Sequence, residues 1–234
     1  MMQPVPAVRH FVVVPAAGVG ARLGAERPKQ YQALAGATVL EHAIAPFLAP
    51  PWVERIVVAV APQDTIAAGL RGVDHPRVAV VPCGGATRRE TVRNALRELR
   101  DRFAAAADDW VFVHDAARPG LDDATLARLV AALPDERVGA LLALPVVDTV
   151  KRGAAGRSMT TVDRQGLWLA QTPQVFRHGM LLRALERHHH VTDEASAIEE
   201  SGHSGRLVEG SRRNHKITTA QDLEWMRGLM ECAR

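Results

Sequence analysis

A glycine-rich stretch directly follows the first apolar run of the chain. The run Phe11–Val14 is mostly β-branched, ends at Pro15 and continues into the segment PAAGVGARLG. Small residues after a strand let backbone N–H groups approach phosphate oxygens. Arg22 and Lys29 add two positive charges to the same region. This combination predicts a site for a triphosphate. A plain glycine-rich turn with a solvated arginine and lysine is the alternative that this pattern alone leaves open.

The spacing of these glycines excludes two common nucleotide motifs. They follow the pattern G-x-G-x-x-x-G, whereas dinucleotide-binding loops need G-x-G-x-x-G and an acidic residue about 20 residues further on. Gly24 is followed by Ala25, whereas a P-loop has lysine at that position. The stretch therefore predicts a phosphate cradle of another type.

A second cluster, HDAARP, lies at the end of a predicted strand and contains Asp115 and Arg118. The carboxyl ends of parallel strands line the ligand crevice of an open sheet, so Asp115 is expected to face the bound phosphates. A carboxylate beside a triphosphate commonly holds Mg²⁺. Arg118 can clamp a second anion or bond hydroxyl groups of a substrate. An aspartate that caps a helix and pairs with its own arginine is the alternative reading.

Two further groups of residues are weaker evidence for a binding site when they are judged by residue type and spacing alone. Lys216, in NHKIT, falls on a predicted strand, and a lone lysine there is usually a solvated edge residue. Hydroxyl and cationic side chains are concentrated in DTVK, TTVDR and QTPQ, which suits a polyol phosphate site or an ordinary polar hairpin. The run His188–His190 predicts a solvated helix end, because consecutive side chains on a helix cannot face one metal ion.

Strands and helices alternate along most of the chain and would position these groups. Strands are predicted over residues 11–15, 55–60, 78–81, 110–114, 138–144, 207–208 and 215–217. Helices are predicted over residues 39–48, 87–103, 122–133, 178–189, 193–201 and 219–230. Thr87 stands three residues before Glu90, which indicates a capping box. The alternation predicts a Rossmann-like α/β fold, with a mainly parallel sheet covered by helices on both faces.

The stretch of residues 145–169 breaks this rhythm. It contains three glycines and no apolar stripe at helical spacing. We interpret it as a β-arm that leaves the sheet. No linker or repeat divides the remainder, so residues 1–234 are predicted to form a single domain carrying this arm.

Composition limits the classes of protein that fit. Apolar residues make up 47% of the 234 residues, enough for a buried core. The net charge of +3 is spread along the chain and aromatic residues make up 4%, which argues against a nucleic-acid-binding protein. Two distant cysteines indicate a reducing compartment rather than a disulfide framework. With no apolar run near the start long enough for a signal peptide or membrane span, we expect a cytoplasmic protein without membrane partners.

Several motifs in the same order resemble one known family. The stretches VPAAGVGARLGAERPKQY, VHDAARP, PVVDTVKR, TVDRQGLW, QTPQVF, TDEAS and NHKIT are similar to those of nucleotidyltransferases with the GT-A-like fold. More specifically, they resemble the 2-C-methyl-D-erythritol 4-phosphate cytidylyltransferases of the non-mevalonate isoprenoid pathway. The resemblance covers nearly the whole chain and implies transfer of CMP from CTP to that polyol phosphate, with Mg²⁺ as the cofactor.

The resemblance also implies roles for individual residues. The CTP phosphates and the charge developing on them would be held by Arg22, Lys29 and Lys216. The base and ribose would be held by Ala16, Ala17, Gly18, Gly85, Thr91, Asp115 and Ala116. The polyol phosphate would be bound by Asp115, Arg118, Thr149, Arg164 and Thr172, and Asp115 would orient Mg²⁺, directly or through water.

Two features of the resemblance concern the base site and the assembly. Family members often carry serine where Thr91 stands and aspartate where Ala86 stands, so Ala86 supplies no side-chain ligand for the base. Arg164, on the arm, would reach the substrate across a two-fold interface, which implies a homodimer.

Two other functions stay open on the sequence. One is a cytidylyltransferase for another polyol phosphate, such as ribitol 5-phosphate. The other is a non-catalytic protein that binds nucleotides or nucleic acids through the same basic loops. Comparing pyrophosphate release with methylerythritol phosphate and with ribitol 5-phosphate tests the first alternative. Steeply salt-dependent binding to nucleic acid without CTP turnover would support the second.

Overall fold

The structure is a computed structural model that describes residues 8–18 and 27–232. Its strands are β1 His10–Pro15, β2 Ala33–Leu34, β3 Ala37–Thr38, β4 Val53–Ala59, β5 Val78–Val81, β6 Trp110–Val113, β7 Gly139–Pro145, β8 Val150–Ala154, β9 Arg157–Val162, β10 Trp168–Arg177 and β11 Arg206–Glu209. Its α-helices are α1 Val39–Leu48, α2 Arg88–Phe103, α3 Asp123–Ala131, α4 His178–Arg187, α5 Glu194–Glu200 and α6 Ala220–Glu231.

Seven strands form the central sheet in the order β11-β7-β10-β6-β1-β4-β5. β10 pairs antiparallel with β6 and β7, and every other pairing in this sheet is parallel. The predicted α/β fold with a mainly parallel sheet is therefore confirmed. Among the described helices, none combines the length and the apolar composition needed to cross a lipid bilayer.

Helices cover both faces of this sheet because the side chains of each strand alternate between them. On β1, Val12 and Val14 pack into a core that includes side chains of α1 and α3. Phe11 and Val13 point the other way, into a core that includes side chains of α2, α4 and α5. β1 is buried from both sides, which explains why its sequence is a continuous apolar run.

The helix signals in the sequence match the structure well. At the start of α2 the Glu90 N–H donates to Thr87 Oγ1 at 3.1 Å, and the Glu90 carboxylate accepts from the Thr87 N–H at 3.3 Å. The capping box predicted there is confirmed. This cap matters for the site, because it sets where α2 begins beside Gly85.

Three elements differ from the sequence prediction. The predicted strand over residues 215–217 is wrong, since this segment lies outside the sheet and its direction is set by α6. The central strand β10 and the short β2–β3 hairpin were not predicted. β10 escapes pattern recognition because its buried positions include Gln171, Thr172 and Gln174. These polar side chains are satisfied by partners distant in sequence, so the strand lacks an apolar alternation.

The arm region contains a hairpin separate from the main sheet. β8 and β9 pair antiparallel with each other and form their own two-stranded sheet. Nearly all of their residues are exposed. The hairpin lies between the end of β7 and the start of β10, within residues 145–169.

Candidate active site

A cavity of about 490 Å³ opens at the carboxyl ends of the parallel strands. The described residues that line it are Pro15, Ala16, Ala17, Gly18, Lys29, Gln30, Gly85, Ala86, Thr87, Arg88, Thr91, Asp115, Ala116, Ala117, Lys216 and Thr218. These segments follow β1, β5 and β6 or precede α6, so topology alone brings them together. The cavity unites nine of the predicted site residues. Arg22 lies outside the described residues.

Asp115 is surrounded by cationic side chains. Its Oδ1 accepts from Arg88 Nε at 2.8 Å, and its Oδ2 pairs with Lys216 Nζ at 2.7 Å. Arg118 Nε lies 3.7 Å from the same Oδ2. Burial alone would favour the neutral acid, but the charges of Arg88 and Lys216 outweigh it and hold the pKa of Asp115 well below its usual range. Asp115 is therefore a carboxylate at any physiological pH.

A hydrogen-bond chain holds Asp115 from behind. The Asp115 N–H donates to Thr172 Oγ1 at 3.0 Å, and that hydroxyl lies 3.1 Å from His114 Nδ1. His114 Nε2 lies 3.1 Å from the carbonyl of Arg118, which can only accept. His114 must therefore carry its proton on Nε2 and accept the Thr172 hydroxyl on Nδ1. Burial lowers the pKa of His114 to about 4, so the ring is neutral near pH 7.

Replacing Thr172 by valine tests this chain. The variant removes the acceptor of a buried N–H and the donor to a buried ring nitrogen, while it keeps the side-chain shape. We expect the free energy of unfolding to fall by about 1–3 kcal/mol, measured by urea denaturation. The exposed Thr65→Val is the control and should change it by less than about 0.5 kcal/mol. If Thr172→Val is as stable as Thr65→Val, the hydrogen bonds of Thr172 contribute nothing to the stability of the fold.

Arg118 is buried and braces the site rather than lining the cavity. Its Nη1 donates to the Asn214 carbonyl at 2.7 Å and its Nη2 to the Ala170 carbonyl at 3.4 Å. The side chain of Asn214 in turn donates to the Thr172 carbonyl at 2.7 Å. Arg118 and Thr172 thus lie behind Asp115, tied to β10 and to the segment that carries Lys216.

Lys216 reaches the cavity from an extended segment anchored at both sides. The Ile217 N–H donates to the Ala117 carbonyl at 2.8 Å, directly beside Asp115. The Thr218 N–H donates to Asp222, the carboxylate that also completes the cap of α6. Lys29 Nζ lies 3.3 Å from the Ile217 carbonyl. The two lysines, which come from opposite ends of the chain, therefore meet at one segment.

The glycine-rich segment is shaped by Gln30. Its Nε2 donates to the carbonyls of Ala16 and Gly18 at 2.8 and 3.0 Å. The Ala16 N–H in turn donates to the Ala59 carbonyl at 2.7 Å, so Gln30 and the end of β4 together fix the shape of this segment. Gln30 directly follows Lys29, so one short helical turn, Lys29–Tyr31, supplies both the charge and the brace.

On the other wall, Gly85 approaches α2 closely. Its N–H donates to Thr91 Oγ1 at 3.0 Å, and the Thr91 hydroxyl donates to the Thr87 carbonyl at 3.0 Å. A Cβ on Gly85 would lie 2.4 Å from the Cβ of Glu90, so the backbone requires glycine here. The Thr91 hydroxyl, already bonded twice, retains one lone pair for a nucleotide.

Thr149 and Arg164 are not brought to this cavity by their own chain. Both are exposed and lie beside the β8–β9 hairpin. The Arg164 guanidinium donates to the Val147 carbonyl. Neither is among the described residues that line the cavity, so their contact with a ligand stays a prediction.

The residues present do not fit a metal ion bound directly to Asp115. Both oxygens of Asp115 are engaged by Arg88 and Lys216, and cations crowd the position that a metal would take. In residues 8–18 and 27–232, no group of three His, Cys, Asp or Glu side chains could hold a metal ion. A direct bond from Asp115 to the metal does not match this geometry, because its neighbours in space are cations, and orientation of Mg²⁺ by Asp115 through water stays a prediction.

Arg88 and Glu194 are the main residues that sequence reasoning missed. The Arg88 Nη1 and Nη2 donate to the two Glu194 oxygens at 2.7 and 3.0 Å. A signal existed for Arg88, which lies three residues before Thr91 on the same face of α2. Glu194 lies in the stretch TDEAS, which carried the family resemblance, but its partner is 106 residues away and the resemblance gave it no role.

Comparisons with known proteins identify one family over nearly the whole chain. The family model for 2-C-methyl-D-erythritol 4-phosphate cytidylyltransferase (IspD) matches residues 10–231. A protein of that name from Bordetella pertussis is 52% identical over 225 residues, covering 92% of this chain and 96% of the relative. One from Pseudomonas entomophila is 50% identical over 222 residues, covering 93% and 94%.

Solved structures give the same result. A crystal structure of 4-diphosphocytidyl-2C-methyl-D-erythritol synthase has a TM-score of 0.86 and 41% identity, covering 96% of this chain and all of the other. The Francisella tularensis 2-C-methyl-D-erythritol 4-phosphate cytidylyltransferase has a TM-score of 0.78 and 36% identity, covering 93% and 97%. The similarity therefore extends over the sheet, the cavity and the arm region together.

Proposed function

Because this chain belongs to the 2-C-methyl-D-erythritol 4-phosphate cytidylyltransferase family, we propose that its cavity transfers CMP from CTP to 2-C-methyl-D-erythritol 4-phosphate. The products are 4-diphosphocytidyl-2-C-methyl-D-erythritol and pyrophosphate. The observation that carries this proposal is the convergence of Lys29, Lys216 and Asp115 beside the glycine-rich segment. Such a cavity suits two phosphate-bearing substrates.

The chemistry is an in-line displacement at phosphorus. An oxygen of the polyol phosphate forms a bond to the α-phosphorus of CTP, and the bond to the β-phosphate oxygen breaks. The attacking oxygen is already anionic near neutral pH, because a phosphate monoester has its second pKa near 6. No general base is needed, which agrees with an Asp115 carboxylate engaged by two cations.

The cations of the cavity perform the catalysis in this proposal. Lys29 and Lys216 hold the triphosphate and neutralise the charge that develops on it in the transition state. Arg22 joins them in the same role. The base and ribose rest on backbone groups of Ala16, Ala17, Gly18, Gly85 and Ala116, and on Thr91.

Asp115 faces the acceptor side of the cavity, with Arg118 and Thr172 holding it in place. Direct contacts of Arg118 and Thr172 with the polyol phosphate stay predictions. We propose that Mg²⁺ enters on the phosphates of CTP, since the described residues supply no direct ligand set. With two free cysteines, Cys83 and Cys232, the chain suits the cytoplasm as the place of this reaction.

We propose that residues 145–169 join two copies of the chain as a homodimer. Exposed large apolar side chains are concentrated there, namely Val147, Met159, Leu167, Trp168 and Leu169. An exposed apolar patch of this kind marks an interaction surface. The arm would carry Thr149 and Arg164 to the cavity of the other copy, because neither reaches the cavity of its own.

Replacing Arg164 by alanine tests the arm. We expect the KM for the polyol phosphate to rise about 10- to 100-fold, because one charge-assisted contact with the substrate is lost. The kcat and the KM for CTP should change little. Steady-state kinetics with Arg157→Ala, an exposed arginine of the neighbouring β8–β9 hairpin, is the matched control. A fully active protein that is monomeric by analytical ultracentrifugation would contradict the role of the arm.

The function itself is tested by pyrophosphate release. The protein is incubated with Mg²⁺ and each of the four nucleoside triphosphates, with 2-C-methyl-D-erythritol 4-phosphate, with ribitol 5-phosphate or with no acceptor. We expect release only with CTP and the methylerythritol phosphate. Faster release with ribitol 5-phosphate would assign another acceptor, and no release from the folded protein would reject the transferase.

A further inference from the structure

Arg88 joins two carboxylates that lie far apart in the sequence. Its Nε donates to Asp115 at 2.8 Å, while Nη1 and Nη2 grip both oxygens of Glu194 at 2.7 and 3.0 Å. All three nitrogens of the guanidinium are therefore engaged. The two carboxylates outweigh the effect of burial and raise the pKa of Arg88 above its usual range, so it stays charged.

The position of Arg88 is unfavourable without these partners. It is the first residue of α2, where the helix dipole repels a positive charge. Glu194 is the first residue of α5 and is 1% exposed, so its charge needs a buried partner. Glu194 is not among the residues that line the cavity. Glu194 therefore holds Arg88 toward Asp115 from a buried position behind the cavity wall.

We propose that Arg88, held by Glu194, is a positioning residue that fixes the Asp115 carboxylate so that its second oxygen keeps Lys216 in place. The inference rests on the proposed function, because it assigns Arg88 a part in that reaction. Arg88 engages Oδ1 at 2.8 Å, while Oδ2 points to Lys216 Nζ at 2.7 Å. Without Arg88, Asp115 is free to turn toward Arg118, whose Nε lies 3.7 Å away.

The displacement of one ammonium group has a large effect on this kind of reaction. Catalysis by charge requires the cation at the position where negative charge develops, and a shift of about 1 Å can lower the rate on the order of 10²-fold. Lys216 has a long flexible side chain, so its ammonium depends on the Asp115 partner for its place. Arg88 thus acts on the reaction through the Asp115 carboxylate and the Lys216 ammonium group.

Arg88 also lines the cavity, so direct contact with the nucleotide is the competing role. Glu194→Gln separates the two roles. If Arg88 serves only as a positive charge for the nucleotide, removal of the Glu194 charge leaves that charge in place and makes the cavity more positive, so binding of CTP tightens or stays equal. If Arg88 positions Asp115, the loss of its anchor lowers kcat.

The experiment compares Arg88→Lys, Glu194→Gln and the control Arg97→Lys in the full-length protein. Lysine keeps the charge at position 88 but cannot reach both carboxylates. Arg97 also links α2 to α4 through Glu186, at 2.7 Å, but this pair is exposed and lies outside the cavity lining. We expect kcat to fall roughly 10- to 100-fold in Arg88→Lys and Glu194→Gln, with the KM for CTP near the parent value. Arg97→Lys should match the parent.

Crystal structures of the same variants give a readout that does not depend on turnover. We expect the contact between Asp115 and Lys216 to be broken or displaced in Arg88→Lys. An unchanged contact in the Arg88→Lys crystal overturns the inference whatever the kinetics. If the parent turns over CTP, two kinetic results also overturn it. One is a kcat of Arg88→Lys and Glu194→Gln equal to that of the parent, and the other is a change confined to their KM for CTP. An inactive parent would instead reject the proposed function and leave the structural comparison to decide the positioning role.

Discussion

Replacing Lys216 by alanine is expected to lower kcat for pyrophosphate release by roughly 10²–10³-fold, as deletion of a group that stabilises transition-state charge does elsewhere. The segment that carries Lys216 is held by backbone bonds from Ile217 and Thr218, so the fold does not depend on the lysine side chain. The loss should therefore appear mainly in kcat, while the free energy of unfolding falls only by what the partly exposed ion pair with Asp115 contributes, less than in Asp115→Asn. Steady-state kinetics and urea denaturation measure the two quantities separately.

Companion variants define this prediction more sharply. Lys216→Gln keeps most of the length of the side chain without its charge and should be as impaired as the alanine variant. Lys29→Ala should lose a similar factor, because Lys29 approaches the same segment from the other side. Arg100→Ala removes an exposed cation that pairs with the neighbouring Asp101, and it should be fully active. Normal turnover in a folded Lys216→Ala protein would remove Lys216 from the mechanism.

Replacing Asp115 by asparagine is expected to lower the free energy of unfolding by about 3–5 kcal/mol, because a buried charge network loses its shared anion. Arg118 is buried and would face Lys216 and Arg88 without compensation. Turnover should fall as well, since Lys216 loses its anchor. Denaturant unfolding near neutral pH measures the change in stability, and the exposed Asp135→Asn is the control.

The pH dependence of this difference follows from the pKa of Asp115. That pKa is depressed in the folded protein, so its contribution is complete above the unfolded value of about 3.9. The stability gap between the parent and Asp115→Asn should thus be constant from pH 7 to about pH 5 and narrow at pH values below about 3.9. A gap that closes already between pH 7 and pH 5 would show that Asp115 is not held as a carboxylate.

Much of the fold could be predicted because its signals are local. The apolar run of β1, the capping box at Thr87 and the apolar face of α2 each depend on residues within one or two turns of one another. β10 could not, because its buried Gln171 and Gln174 are satisfied by Ser211 and Asp193, partners that are distant in the sequence. The segment at Lys216 was mistaken for a strand, since a short β-branched pattern does not reveal the cap of α6 that directs it.

The residues of the candidate site also divide into those with a local sequence signal and those without one. Residue types and their order along the chain were enough to select Lys29, Asp115 and the glycine-rich segment. Lys216 was selected through the family resemblance, because a lone lysine carries no local signal. Arg88 and Glu194 were missed, since their meaning depends on a contact across 106 residues.

The sequence by itself determined which charged and small residues follow each strand, and therefore what kind of ligand the edge of the sheet can bind. Only the tertiary structure decided that Asp115 is engaged by Arg88 and Lys216, which places cations where a directly bound metal ion would lie. The physical reason is that a carboxylate's partners and its pKa follow from distances and burial. Those quantities exist only once residues from α2, the loop after β6 and the segment before α6 have been packed together.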